Sequence, residues 1–200
     1  GCRDVTVSDC IVDAQDDAII LRSHQEQMRV PHALERVFVS NCVFRANRPY
    51  GIRLGWGGDA PLRDILVTHC RVPHSGIGIG CSIPPTGRLF DVDPPRWGRT
   101  DFADRLSRPQ GMIPFALENV RFENLEVHAV EAPFQFEVFN REAYHGDNAL
   151  EETPVTVWKN VVFRNCRFFS DGMPILSRPP HVKIGDWRFE NVELLPARGK

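Results

Sequence analysis

Apolar and polar residues alternate along this chain in short runs that recur. Val5-Thr6-Val7-Ser8-Asp9-Cys10 returns as Val37-Phe38-Val39-Ser40-Asn41-Cys42 and as Ile65-Leu66-Val67-Thr68-His69-Cys70. Later copies are Val120-Arg121-Phe122-Glu123-Asn124-Leu125, Val161-Val162-Phe163-Arg164-Asn165-Cys166 and Trp187-Arg188-Phe189-Glu190-Asn191-Val192. Alternation with a period of two marks a half-buried strand, because successive side chains on a strand point to opposite faces. Each copy ends in a polar turn residue and then a small or apolar one. A polar pair usually precedes it: Arg3-Asp4, Glu35-Arg36, Arg63-Asp64, Glu118-Asn119, Lys159-Asn160.

The copies begin 32, 28, 55, 41 and 26 residues apart. The shorter spacings fit one coil of a solenoid. The spacing of 55 leaves room for one or two coils plus an insertion, and that of 41 for one coil plus a loop. A second apolar run follows the phrase: Ala18-Ile19-Ile20-Leu21, Gly51-Ile52-Arg53-Leu54-Gly55 and Gly76-Ile77-Gly78-Ile79-Gly80, then Phe134-Gln135-Phe136-Glu137-Val138 and Met173-Pro174-Ile175-Leu176. Helical periodicity is confined to one turn at residues 101–106. Several short strands per repeat and no long helix predict an all-β parallel β-helix, one domain over 1–200, with coils stacked from residue 1 to about residue 197. A β-sandwich or propeller would carry tight Asn-Gly hairpin turns, and the chain has no Asn-Gly.

Cysteine usage sharpens this picture. Of six cysteines, Cys10, Cys42, Cys70 and Cys166 hold the same place in the repeat. Equivalent places stack in a solenoid, so these predict an inward ladder of small apolar side chains, with Leu125 and Val192 filling the rung elsewhere. Apolar replacements suit packing better than disulfides, and the lack of a Cys-x-x-Cys pair gives no case for a metal site.

Composition adds exclusions. The 200 residues are 42% hydrophobic and 25% charged with a formal net charge of −2. Near-neutral charge makes no case for nucleic-acid or membrane-surface binding, and no apolar run approaches the ~20 residues that cross a bilayer. The chain starts inside a strand-like pattern with no Met, so it reads as a segment of a longer helix whose upstream coils and export signal precede it. A monomer needing no cofactor is the expectation.

Candidate chemistry centres on Asp16 and Asp17, adjacent carboxylates just before Ala18-Ile19-Ile20-Leu21. Two negative charges held close raise the pKa of one of them, which supplies a proton donor and an acceptor from one residue type. The bland alternative is a solvated turn. Two long insertions, at about 84–114 and 140–154, break the stack. Between arginines in the first, Trp97 offers a ring for stacking on a sugar or for pinning its own loop.

Cys2-Arg3-Asp4-Val5-Thr6-Val7-Ser8-Asp9-Cys10-Ile11-Val12, Gln15-Asp16-Asp17-Ala18-Ile19, Asn41-Cys42 and Tyr50-Gly51-Ile52-Arg53-Leu54-Gly55 together resemble glycoside hydrolase family 28. These are the polygalacturonase-like enzymes, built as right-handed, single-stranded parallel β-helices. The resemblance covers residues 1 to about 83. It implies inverting hydrolysis of a polysaccharide, classically the pectin backbone, by three aspartates. Asp16 maps onto the acid that protonates the leaving oxygen. Asp17 maps onto the residue that activates water with a third aspartate one coil earlier, which would fall before Gly1. It implies a secreted or periplasmic protein.

Where the family has a His before the glycine of the next coil, this chain has Tyr50. Where it has an Arg and a Lys on the following strand, this chain has Gly78 and Gly80. Arg53, one coil earlier, and Arg22, two coils earlier, align with that outward row and offer forks for an acidic sugar. His24 and Trp56 stand at the exits of the same strands. His24 could shuttle a proton, and Tyr50 and Trp56 could form sugar platforms. Three functions stay open: a glycosidase of altered specificity, a polysaccharide lyase or uronate epimerase with carboxylate-held Ca²⁺, and a non-catalytic glycan-binding β-helix.

Overall fold

The computed structural model describes residues 2–24, 30–55, 59–83, 115–138, 157–177 and 183–197. They form fifteen β-strands, and among the described residues there is no helix. The strands recur in threes. The first layer is β1 (Arg3–Ser8), β2 (Ile11–Ala14) and β3 (Ile19–Leu21). The second is β4 (Leu34–Ser40), β5 (Val43–Ala46) and β6 (Tyr50–Leu54). The third is β7 (Leu62–Thr68), β8 (Arg71–His74) and β9 (Ile77–Ile83). The fourth is β10 (Ala116–Glu123), β11 (Glu126–His128) and β12 (Ala132–Val138). In the fifth, β13 (Val157–Phe169) runs through the first two positions, and β14 (Ile175–Ser177) takes the third. Last comes β15 (Lys183–Leu195), again continuous.

Every strand pair is parallel and joins equivalent positions of neighbouring layers. One sheet holds the first and second strands of all layers, joined through β13, and a five-stranded sheet runs β14-β12-β9-β6-β3. Hairpin-built folds are thereby set aside, since among the described residues the single antiparallel contact is an isolated bridge between His24 and Asp59. Because β10 pairs directly with β7, the spacing of 55 is one layer plus an insertion. The middle strand of each layer is the element that sequence reading did not separate from the first.

What divides first from second strand is a corner residue in the left-handed region. Among the described residues twelve other than glycine have positive φ, and they fall on two ladders: Asp4, Arg36, Asp64, Asn119, Asn160, Asp186 and Asp9, Asn41, His69, Asn124, Asn165, Asn191. Asp and Asn tolerate this conformation because a short polar side chain can bond locally. Stacked layers also let the corners bond to one another. Asn41 donates to Asp9, Asn165 to Asn124 at 3.2 Å, and Asn191 to Asn165 at 2.9 Å. On the other ladder Asn119 donates to Asp64 at 2.8 Å and Asn160 to Asn119 at 2.9 Å.

The residue after the second corner points inward. Cys42, Cys70, Leu125 and Cys166 are buried, Cys10 and Val192 less so at the two ends, and every described cysteine is a free thiol. Each of the four cysteine thiols in this rung also donates to the carbonyl two residues earlier, at 3.1–3.3 Å. A thiol thus does what Leu or Val cannot, adding a weak bond at the bend while packing as a small apolar group. Further in, the core grades from Val39 and Val67 to Phe122 and Phe163. The Phe122 and Phe163 rings stack at 4.9 Å, and Phe163 stacks on Phe189 at 5.2 Å.

Outward charges alternate from layer to layer. The row Arg3, Glu35, Arg63, Glu118, Lys159 is linked at 3.3, 3.8, 2.6 and 3.0 Å. The row Arg71, Glu126, Arg167, Glu193 is linked at 3.2, 4.0 and 3.1 Å. Each exposed pair contributes little alone, but a two-residue slip would misalign the whole row.

Asn124→Ala removes the ladder bonds and the short polar side chain that lets a residue with a Cβ tolerate the left-handed region, at a cost of about 1–2 kcal/mol. Asn124→Gly relieves that strain and loses only the ladder bonds. Urea unfolding should rank wild type above the glycine variant and the glycine variant above alanine; equal midpoints for the two variants would refute the strain account.

Candidate functional site

Asp16 and Asp17 occupy the turn between β2 and β3, at the start of the third-strand sheet. Asp16 is exposed, and Asp17 is half-buried. The layer above explains Asp17. Its Oδ1 accepts the Tyr50 amide N–H at 3.0 Å, while the Ala18 amide donates to the Tyr50 carbonyl at 3.0 Å. Its Oδ2 accepts Nη1 of Arg53 at 3.0 Å. The two side chains of this ion pair are 11% and 10% exposed. The Arg53 guanidinium lies 4.7 Å from the Tyr50 ring centroid, a cation–π arrangement.

The Tyr50 ring lies over Gly80, where an added Cβ would come within 2.5 Å of the ring and of the Gln135 carbonyl oxygen. At Gly78 a Cβ would strike Val127 and the Pro133 carbonyl. The two glycines that stand where the resembled family has cations are therefore sites without room for a side chain. Arg53 pairs in register with Gly80, as the row alignment expects. Arg22 does not belong to that row: Ile20 is the residue opposite Arg53, and Arg22 lies two positions further on, past the end of β3. The alignment misplaced it because β3 is short and the chain leaves the sheet after Leu21.

Arg22 instead donates from Nε to Oδ1 of Asp59 at 3.3 Å, and the Asp59 side chain is fully buried. Asp59 bridges His24 through the backbone, and the Ala60 amide donates to the Ser23 carbonyl at 2.8 Å. Next to it Gly55 turns with φ of 65°, against the Phe115 ring. Asp59 is the acidic residue that sequence reading missed; its signal is an acid following Gly57-Gly58 at the close of a strand. Cys81, buried beneath, is under the electrostatic influence of both Arg53 and Asp59, and burial pushes its thiol far up.

Two acid–arginine pairs therefore line the start and exit of β3 and β6. Both guanidiniums suggested for an acidic sugar face protein carboxylates, and Tyr50 and Arg53 are buried. Asp4 and Asp9 are corner residues, and hydrogen bonding from Arg36 lowers the Asp4 pKa. Trp56, Trp97, both expected insertions and the turn expected at 101–106 lie outside the described residues. Among the described residues, no group of three or more His, Cys, Asp or Glu is placed to hold a metal ion, and no helix is long and apolar enough to cross a membrane.

Asp17 is raised above its ordinary 3.8. Burial is the main cause; Arg53 and the Tyr50 amide oppose it, and the charge of Asp16 adds least. Compared with known proteins, the chain matches no family model, no curated protein and no solved structure.

Two predictions follow from these contacts. With its folded pKa raised, Asp17 holds its proton more tightly in the folded than in the unfolded state, so its contribution to stability falls as pH rises through the interval just above 3.8. Arg53→Met removes the main opposing influence and widens that interval upward. The stability gap between wild type and this variant should therefore grow from about pH 4 to pH 7, reaching about 3 kcal/mol. A gap that stays constant in urea titrations at both pH values would rule out the buried pair as its source. Gly80→Ala should cost about 1–3 kcal/mol, because the Gln135 backbone must move as well as Tyr50; a midpoint equal to wild type would show that the ring and strand yield freely.

Proposed function

We propose that this chain is part of a right-handed, single-stranded parallel β-helix that hydrolyses glycosidic bonds in a pectin-like or other acidic polysaccharide by an inverting acid/base mechanism. The observation that carries this reading is the unequal pair at the head of β3. Asp16 is exposed, while its neighbour Asp17 is held in fixed orientation by Arg53 and the Tyr50 amide, both of which favour its carboxylate against the burial that raises its pKa. Two carboxyl groups in different environments are what acid/base chemistry requires. The layered order of parallel strands supports the helix, with sugar residues running across the third-strand sheet.

In this mechanism the Asp16 carboxyl reaches the glycosidic oxygen and gives it a proton as the bond breaks. Asp17 serves the water side, accepting the proton of the attacking water on the opposite face of the sugar ring. Arg53 and Tyr50 act through Asp17 as positioning residues, since they are buried and spent on the carboxylate. Such substrates lie outside the cell, and there the protein would act.

A second reading, a non-catalytic glycan-binding β-helix, is favoured by Tyr50, Gly78 and Gly80 standing where the resembled family carries its His, Arg and Lys.

Release of reducing ends from a panel of acidic and neutral polysaccharides tests both. Asp16→Asn should lower the rate by about 10²–10⁴-fold, with an unchanged melting temperature. Asp17→Asn should also abolish release, and the wild-type product should carry the inverted anomeric configuration by NMR. No release by wild type from any substrate, with glycan binding equal in all three proteins, would select the binding reading.

A further inference from the structure

The turns that lead into the third-strand sheet stack in register. The Ala18 amide donates to the Tyr50 carbonyl at 3.0 Å, that of Ile77 to the Pro49 carbonyl at 2.6 Å, and that of Glu131 to the Gly76 carbonyl at 2.7 Å. Tyr50 pairs with Ile77, and Ile77 with Ala132. One row of the turn therefore reads Asp16, Pro49, Gly76, Glu131. Asp16 and Glu131 hold the same place three layers apart, and the two residues between them carry no polar side chain.

The Glu131 side chain does not stay on its own layer. It lies back over Gly76, where an added Cβ would sit 3.5 Å from its Oε1 and 3.6 Å from its Cδ, and 3.0 Å from the Pro49 carbonyl oxygen. Glycine at 76 thus leaves the place that the carboxyl takes. Glu131 is exposed although layers stack on both sides of it, with Gly172 packed against its carbonyl oxygen. Among the described residues no hydrogen bond or ion pair engages its carboxyl, whereas Asp17 is bonded to Arg53 and the Tyr50 amide.

Parallel strands lie about 4.8 Å apart, so the Glu131 carboxyl, at the height of the third layer, stands about 10 Å along the row from the turn of Asp16. A pyranose unit is about as long as one layer is high. A sugar next to the bond that Asp16 addresses would therefore rest on Pro49 and Gly76 with the Glu131 carboxylate at its far end. That carboxylate accepts hydrogen bonds from sugar hydroxyls and repels a sugar carboxylate.

We propose that Glu131 is a specificity-determining residue, a role that rests on the hydrolysis proposed above: the sugar seated beside it is uncharged, either a neutral sugar or an esterified uronate. Within an acidic polysaccharide, cleavage then falls next to residues whose carboxyl is absent or masked.

The probe is one oligogalacturonide in two forms, free acid and fully methyl-esterified. Each is titrated against the whole chain carrying Asp16→Asn, which prevents turnover and removes the other exposed charge of the row. The ester should bind about fivefold or more tightly than the acid, by a ratio that shrinks with salt. Adding Glu131→Gln should bring the ratio close to one while ester binding persists; a merely structural role would weaken both forms alike. A ratio near one before that change, tighter binding of the acid, or a ratio that Glu131→Gln leaves unaltered would overturn the proposal and leave the hydrolysis standing. Binding of neither form, together with no release of reducing ends by wild type from any polysaccharide, would overturn both. Binding of neither form by a wild type that does release them would overturn the role of Glu131 alone.

Discussion

The structure depends on a backbone bend that ordinary L-residues resist. Twice in each layer the chain passes through the left-handed region, and it does so at Asn or Asp in most layers. In β13 and β15 strand pairing continues on both sides of the bend, so the corner is a turn within a strand rather than a loop. Stacking makes the bend affordable. The short side chains that tolerate the conformation also bond along the stack, and the small residue behind the corner packs on its counterpart above and below. Remove the bend and first and second strands would run straight, leaving nothing to enclose Phe44, Val72, Val127 and Phe168.

Parallel stacking raises a second problem, which is register. An apolar interior resists a slip of one residue but says little about a slip of two. The outward charges supply the missing discrimination. Arg3, Glu35, Arg63, Glu118 and Lys159 alternate in sign along one row, so each layer fits its neighbours in one alignment. Inside, a stacked Phe122, Phe163 and Phe189 replace the valines of the earlier layers and fix the later ones by shape.

The third-strand sheet follows different rules and carries the candidate chemistry. Its first two layers are locked by acid–arginine pairs, Asp17 with Arg53 and Arg22 with Asp59. One member of the aspartate doublet is therefore a structural clamp as well as a candidate base, while Asp16 faces solvent. The arrangement orients Asp17 at the cost of making Arg53 and Tyr50 unavailable to a ligand. Gly80 belongs to the same solution, since the Tyr50 ring occupies the space that its side chain would need.

Much of this was written in the local pattern. Alternation gave the first strands, the polar residue at the end of each phrase marked the corners, and the equivalent places of Cys10, Cys42, Cys70 and Cys166 foretold the inward rung, because those features depend on residues adjacent in sequence or repeated at the coil period. What depended on contacts across layers was not legible. The separation of β1 from β2 rests on a φ angle, the single layer between β7 and β10 on pairing across an insertion, and the removal of Arg22 from the Arg53 row on where β3 ends. Nor could the chain alone show that Arg53 and Arg22 are spent on Asp17 and Asp59, since an arginine reads the same whether it faces a substrate or a carboxylate thirty-odd residues away. Only folding, which brings those carboxylates within about 3 Å and takes them out of water, decided between the two.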